Sequence, residues 1–464
     1  MTESKAEAQQ SGPIIDRSTA VAVVGAGPAG LSIARMFRKY GVDYDQFERH
    51  TGVGGLWDID NPGTPMYESA HFISSRDMSG FYDYPMPKSF GDYPTRTQIL
   101  QYTKLFADEF GLADRIAFDC GVTRIEEDGE HWLVTTEDGT IRRYKAVVCA
   151  SGTNWHPRMP MHPGHFDGAI RHAVTHRSAR DFAGRRVLVV GLGNSAADIS
   201  CDAAQSADAA FVSTRRGYHI IPKHLFGVPV DQLDDGAVTI PRWIERPVMT
   251  AALRVIVGDV TRWGLPKPDH RLFDSHPLLN SQLLHHLQHG DITVKPEIER
   301  FDGPDVVFTD GSREQIDLVL YATGYQMKIP YIDESYFDWN GDRPAQYLTA
   351  FNRHHKNLFT LGYIETNSSA YTLFDNISNL VAQYVAAQDS NPALTARFER
   401  LIANDDPDLS GGLSLVKSDR HKGYIDSKTI KKNIARVLEE TGFAPLAPGF
   451  AESLRTRPST LAMR

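Results

Sequence analysis

Cysteine is scarce. The 464 residues hold three, Cys120, Cys149 and Cys201, with no Cys-x-x-Cys pair. An odd count at wide spacing excludes a disulfide scaffold, a redox dithiol and a cysteine zinc cluster, and fits a reducing compartment. No run of about 18 apolar residues occurs, so no membrane-spanning helix is expected. The first 18 residues are polar and lack the apolar core of a secretion signal. Positive charge is also short. Lys and Arg number 49 against 58 Asp and Glu, a net charge of −9. That balance argues against a non-specific nucleic-acid binder, which needs a basic face. These shortages together predict a soluble, cytoplasmic protein. Hydrophobic residues at 41% and charged residues at 23% are those of an ordinary globular chain, and the length predicts two or three domains. Three prolines and two glycines from Gly442 to Arg464 read as a loosely ordered extension.

The chain repeats itself at low resolution. An apolar strand at Ala20–Val24 runs into Gly25-Ala26-Gly27-Pro28-Ala29-Gly30, then a helical pattern ending at Gly41 and a strand ending at Phe47-Glu48. A second strand, Val187–Val190, runs into Gly191-Leu192-Gly193-Asn194-Ser195-Ala196, then a helix and a strand at Ala210–Ser213. Asp-Gly hairpin signals follow in both units, at Asp128, Asp138, Asp302 and Asp310. Each unit closes on a buried strand and a small hydroxyl residue before glycine, Ala146–Gly152 and Leu318–Gly324. Five landmarks recurring in one order predict a duplicated unit. The turns at Gly152 and Gly324 are read as crossings, with the chain returning to the first unit after Asn357.

A strand feeding Gly-x-Gly-x-x-Gly at a helix start is a pyrophosphate site. The glycines allow the tight turn, the backbone's approach to phosphate and close helix–strand packing, and the helix supplies free N–H donors. Glu48 lies 23 residues past Gly25, where an acid accepts ribose hydroxyls. In the second unit Ser213-Thr214-Arg215-Arg216 stands where the first has its acid. A guanidinium there favours a ribose 2′-phosphate, so the second loop is read as an NADPH site and the first as an FAD site.

These residues resemble the flavin-containing monooxygenase family, among the class B flavoprotein monooxygenases, from about Val21 to Ile377. Gly54-Gly55-Leu56-Trp57 is similar to that family's second flavin-contacting segment. The identifying pattern Phe-x-Gly-x-x-x-His-x-x-x-(Tyr/Phe) reads Phe166, Gly168 and His172 but ends on His176. Tyr321-Ala322-Thr323-Gly324-Tyr325 is similar to the family's linker motif, and His276–Asn280 to another family segment. The family's flavin-side asparagine is absent. Counting back from Phe81-Tyr82-Asp83-Tyr84-Pro85, its Thr-Asn pair becomes Phe72-Ile73, with Ser74 and Ser75 the nearest polar groups.

The resemblance implies an α/β fold of two Rossmann-like domains, the smaller NADPH domain inserted into the FAD domain. Residues 1–160 and 326–464 are assigned to the FAD domain, the latter with a C-terminal extension. Residues 161–325 are assigned to the NADPH domain, with a helical insert at about 217–285. Cofactor contacts are expected at Gly25, Gly27, Pro28, Ala29, Gly30, Glu48, Gly55, Leu56, Trp57, Val122 and Asn376 for FAD. Those for NADPH are Gly191, Gly193, Asn194, Ser195, Ala196, Ser213, Thr214, Arg215, Thr323 and Gly324. Ser368 and Asp375 are further candidates for the flavin ring. Ser74, Ser75 and His172 are the residues assigned to the reaction centre.

The implied activity is NADPH- and FAD-dependent monooxygenation of an amine nitrogen or sulfide sulfur through a C4a-hydroperoxyflavin. Dioxygen and a small molecule are the partners, and the family's frequent homodimers are carried over by analogy. Baeyer–Villiger oxygenation of ketones is one alternative, and an uncoupled NADPH oxidase or flavin redox sensor another. A disulfide reductase is disfavoured by the missing dithiol. His285 and His289 share a helix face, but the acid of a His-Glu-x-x-His site and a third ligand are missing, so no metal is expected.

Overall fold

The apolar run from Ala20 to Val24 forms the wholly buried half of a longer strand, β1 (Ile15–Val24), in the computed structural model. The structure describes residues 13–233, 242–275, 277–413, 415–416 and 422–456, without side chains at 242–245. Gly27 precedes α1 (Pro28–Tyr40), whose first residue is a proline, where a missing N–H costs nothing. Gly41 ends the helix in the left-handed region, at φ 67°. Next come β2 (Tyr44–Phe47), α2 (Arg96–Glu109), β3 (Ile116–Ala117), β4 (Val122–Asp128), β5 (His131–Thr136) and β6 (Ile141–Cys149). The sheet runs β3-β2-β1-β6-β5-β4. The β3–β2–β1–β6 part is parallel and the β6–β5–β4 meander antiparallel, turning at Gly129 and Gly139.

The second unit contributes β7 (Ala169–His172), β8 (Arg186–Val190), α3 (Asn194–Ser206), β9 (Ala209–Ser213), β10 (Ile292–Lys295) and β11 (Leu318–Tyr321). They form an all-parallel sheet in the order β10-β9-β8-β11-β7. An antiparallel layer, Ile298–Gly303, Asp305–Phe308 and Arg313–Gln315, covers it, as the Asp-Gly signals predict. The expected duplication is visible bond by bond. Gly25 N–H donates to Phe47 O at 2.8 Å and Ala150 N–H to Val24 O at 2.9 Å. In the second unit Gly191 N–H donates to Ser213 O and Ala322 N–H to Val190 O, both at 2.9 Å.

The stretch from 217 to 285 is helical only at α4 (Arg242–Ile256) and α5 (Gln282–His289); elsewhere it holds short strands and single turns. Its residues 234–241 and His276 lie outside the described residues. The chain then re-enters the first sheet. β12 (Leu358–Thr360) pairs in parallel with the end of β6, continuing the edge that β5 covers over Ile141–Tyr144. Helix α6 (Tyr371–Ser390) follows and packs on α1, with α7 (Pro392–Asn404) and α8 (Ser427–Thr441) beyond it. The smaller sheet is therefore inserted into the larger one, the fold class expected from the sequence. No helix among the described residues is long and apolar enough to cross a membrane.

Two readings need correction. The tail is not loose over its described part. Phe443, Leu446 and Ala451 are buried in the first core, Ala451 N–H donates to Asp83 at 3.1 Å, and Thr456 N–H to Glu109 O at 2.8 Å. The prolines space these apolar anchors rather than freeing the chain; residues 457–464 lie outside the described residues. Asp375 belongs to the core. Its carboxylate meets the Arg35 guanidinium at 2.9 Å, with both side chains fully buried. Ser32 Oγ donates to it at 2.6 Å and Tyr82 N–H at 2.7 Å. The guanidinium also lies over the rings of Phe106, Phe110 and Phe450 at 4.6–5.0 Å. Removing one partner of such a pair leaves an uncompensated buried charge, at a cost of about 3–5 kcal/mol. Asp375→Ala should lose stability on that scale in urea unfolding; a loss under about 1 kcal/mol would show the pair to be dispensable.

Candidate functional site

Both glycine loops are forced by contact. Gly25 turns at φ 106°, and a β-carbon there would lie 2.5 Å from Ala150 O. A β-carbon on Gly30 would collide with Gly25 O. Glu48 holds the loop in place. Its two oxygens accept Ala26 N–H at 2.7 Å and His50 N–H at 2.9 Å, and a carboxylate keeps further lone pairs for a ligand. No side chain caps the N-terminus of α1, so its first amide donors are left for an anion. Gly54 N–H donates to Ala26 O at 3.2 Å, and a β-carbon on Gly55 would approach Gly27 Cα to 3.0 Å. Gly362 comes as near to Ala29. Three loops thus converge on Pro28 and Ala29. Beside them Leu56 and Trp57 are half-buried, and Trp57 meets Phe72 at 5.2 Å, which meets Tyr371 at 5.6 Å. Glycine cradle, uncapped helix and acid together fit a flavin dinucleotide.

The second loop repeats the geometry. Gly191 has φ 118°, and its β-carbon would lie 2.7 Å from Ala322 O. Gly193 starts α3 without a side-chain cap. Asn194 Oδ1 accepts Leu279 N–H at 3.1 Å, Ser195 is exposed and Ala196 is buried. Ser213 Oγ donates to Pro296 O at 2.6 Å and Thr214 N–H to Lys295 O at 3.0 Å, which fixes the end of β9. Arg215 projects beyond it, exposed and without a carboxylate partner among the described residues. The Arg216 guanidinium lies 5.1 Å from the Tyr218 ring. A fixed strand end carrying the exposed Arg215 guanidinium fits a phosphorylated ribose.

The assigned reaction-centre residues are spread apart. His172 Nδ1 accepts Val174 N–H at 3.1 Å, so Nε2 carries the proton and donates to Gly324 O at 3.1 Å. Burial holds its pKa below the usual histidine value. His172 therefore organises the crossing. Thr323 Oγ donates to Arg158 O at 2.6 Å, and Tyr325-Gln326 pairs antiparallel with His156-Pro157. Ser74 and Ser75 lie elsewhere, under the insert. Ser74 Oγ accepts from Ser79 Oγ at 2.8 Å, Ser75 N–H donates to Asp231 at 2.6 Å, and Gln232 donates to Ser75 Oγ at 3.3 Å. Ile73 is 41% exposed. Val122 packs on the cluster containing Val24 and Phe47, and Asn376 donates to Thr372 O within α6 at 2.7 Å.

Sequence reasoning missed a polar cluster between the units. Tyr67, although in the first unit, is buried in the core of the second. Its hydroxyl donates to Asp198 at 3.0 Å, and Asn280 donates to the other oxygen of that carboxylate at 2.6 Å. One turn along α3, Asp202 accepts Ser69 Oγ at 2.7 Å and pairs with His176 Nε2 at 2.9 Å. Burial pushes the Asp198 carboxyl up to about 6, against the charge of Lys223 and its two donors. Residues this distant along the chain leave no spacing signal.

The chain matches the family model described as Flavin-binding monooxygenase-like over residues 18–426. It is 31% identical over 338 residues to flavin-containing monooxygenase 5 of Homo sapiens, covering 68% of this chain and 63% of that protein. It therefore spans a little under two thirds of that relative's length. Dimethylaniline monooxygenase (N-oxide-forming) 2 of Mus musculus is 29% identical over 440 residues, covering 89% of this chain and 82% of that one. Among solved structures, S-allyl-L-cysteine S-oxygenase from Allium sativum has a TM-score of 0.62 at 20% identity, covering 95% of this chain and 91% of that one. Cyclohexanone monooxygenase from Rhodococcus sp. Phi1, bound to NADP+, has a TM-score of 0.67 at 18% identity, covering 92% and 98%. Those two likenesses are of fold. With the family match spanning both glycine loops and the crossing between them, the chain belongs to the flavin-binding monooxygenase-like family.

Proposed function

We propose that this protein is an FAD- and NADPH-dependent monooxygenase that oxygenates a soft nucleophile, an amine nitrogen or a sulfide sulfur, with dioxygen. One observation carries the reading: two equivalent glycine cradles in one fold, one followed by Glu48 and the other by the unpaired Arg215. The FAD domain comprises residues 1–160 and 326–464, and the NADPH domain residues 161–325. The scarcity of cysteine supports a cytoplasmic location, and a homodimer is carried over from the family by analogy.

The flavin, when bound, supplies hydride acceptance and the activation of oxygen. The chain's own residues bind, orient and exclude water. The uncapped starts of α1 and α3 hold the two pyrophosphates, Glu48 holds a ribose, and Arg215 selects a 2′-phosphate. Trp57, Phe72 and Tyr371 form an apolar wall beside the first loop. The names of two relatives, an N-oxide-forming enzyme and an S-oxygenase, favour the soft nucleophile. Cyclohexanone monooxygenase keeps Baeyer–Villiger oxygenation as the alternative. Ile73 favours a third outcome. It offers no hydrogen bond, and the Ser74 and Ser75 side chains already have hydroxyl or amide partners. Oxygen reduction is then partly uncoupled from substrate.

Peroxide released per NADPH consumed, with and without methyl phenyl sulfide, tests the activity. The expected result is high release alone and a fall matched by sulfoxide when the sulfide is added. Near-complete release in both cases would sink the monooxygenase reading, and an ester from a cyclic ketone with no sulfoxide would favour the alternative. Arg215→Ala should raise KM for NADPH about 10- to 100-fold, the worth of one or two charge-assisted hydrogen bonds, and leave KM for NADH unchanged. Equal effects on both nucleotides would remove Arg215 from the 2′-phosphate.

A further inference from the structure

We infer that Tyr67, Asp198 and Asn280 form a positioning tie that fixes the second sheet's dinucleotide helix against the first unit, and so aligns the two cofactor sites. Its effect on hydride delivery rests on the function proposed above; the tie itself does not.

The geometry is a two-rung contact. Asp198 and Asp202 lie about one turn apart on one face of α3, about 6 Å along its axis. Residues two apart in the first unit reach them, Tyr67 on Asp198 and Ser69 on Asp202. Between the rungs, Glu68 N–H donates to Arg177 O at 2.8 Å, a backbone bond between the units. Asn280 closes the first rung from the insert, and Leu279 N–H holds Asn194 at the start of the same helix. Asp198 sits four residues after Asn194, so the tie grips α3 next to the end that faces a pyrophosphate.

A carboxylate suits the first rung because it accepts both donors at once. Once protonated it must donate one proton, and a bond to Tyr67 or Asn280 has to turn or break. The groups facing Asp198 are Tyr67 from the first unit, Lys223 and Asn280 from the insert, and Asp202 on its own helix. Asp202 is itself held by His176 and Ser69. With the Asp198 carboxyl pushed up to about 6, the tie is complete at pH 8 and loosens as pH falls through that value.

Spin labels test the tie without any nicotinamide cofactor. Labels at Arg124→Cys and Glu299→Cys, both exposed, report on the two units, with Cys120→Ser removing the half-buried native thiol. The flavin-loaded parent should give one narrow distance distribution at pH 8. Tyr67→Phe, which keeps the ring, and Asp198→Asn, which leaves two amides facing each other, should each broaden it, and the parent should broaden at pH 5. In stopped flow, both variants should reduce flavin with NADPH at least tenfold more slowly, with reoxidation by oxygen within twofold and NADP+ affinity within threefold. Unchanged distributions in both variants at pH 8 would overturn the tie. A pH response that survives in Asp198→Asn would move the titration to the His176–Asp202 rung and overturn the role of the Asp198 charge. A parent whose flavin NADPH does not reduce would remove the two-cofactor reading, while the distance measurement still decides the tie.

Discussion

A glycine pressed against the carbonyl of the neighbouring strand governs both halves of this molecule. Gly25 meets Ala150 O and Gly191 meets Ala322 O, each at a positive φ that side chains rarely adopt. That contact lets the helix begin hard against the sheet with its first amides uncapped. It also pins the end of the next strand, because the same glycine N–H donates to Phe47 O or Ser213 O. Whatever follows that strand is delivered to the mouth of the loop. The first unit delivers Glu48 and the second Arg215. One backbone constraint, used twice with opposite charge, separates the two sites.

Much of this was legible because it is local. The glycine loops, the helix after each and the four Asp-Gly turns are short-range consequences of residue type, and all stand where the sequence puts them. The inserted order was legible because the closing strands repeat. The failures are of another kind. Asp375 reads as a polar residue near a ligand, yet its partner Arg35 lies hundreds of positions away, and pairing consumes it. The tail reads as loose because prolines break helices, yet Phe443, Leu446 and Ala451 each find the core. Tyr67 and Asp198 carry no pattern at all; only the approach of two units makes them neighbours.

The seam between the units is polar where their cores are not. Thr323 and Arg158, Ser75 and Asp231, and the α3 face bind the units by hydrogen bonds rather than by a shared apolar layer. Met66, Tyr67 and Ala70 are apolar contacts that do reach across. Polar interfaces within a chain accommodate relative motion of the bodies they join.

Strand β6 has one further consequence. Its first half is paired by the hairpin that precedes it, its second half by β12, which arrives only after the inserted unit is complete. During synthesis the strands of the smaller sheet, Ala169 to Tyr321, are all present before Leu358 emerges. The inserted unit is able to close first, and until Leu358–Thr360 arrives the Val147–Cys149 edge is unpaired and open to mispairing. The chain order leaves this long-range pairing of the outer sheet until the inner one is synthesised, and closures of that kind are intrinsically slow.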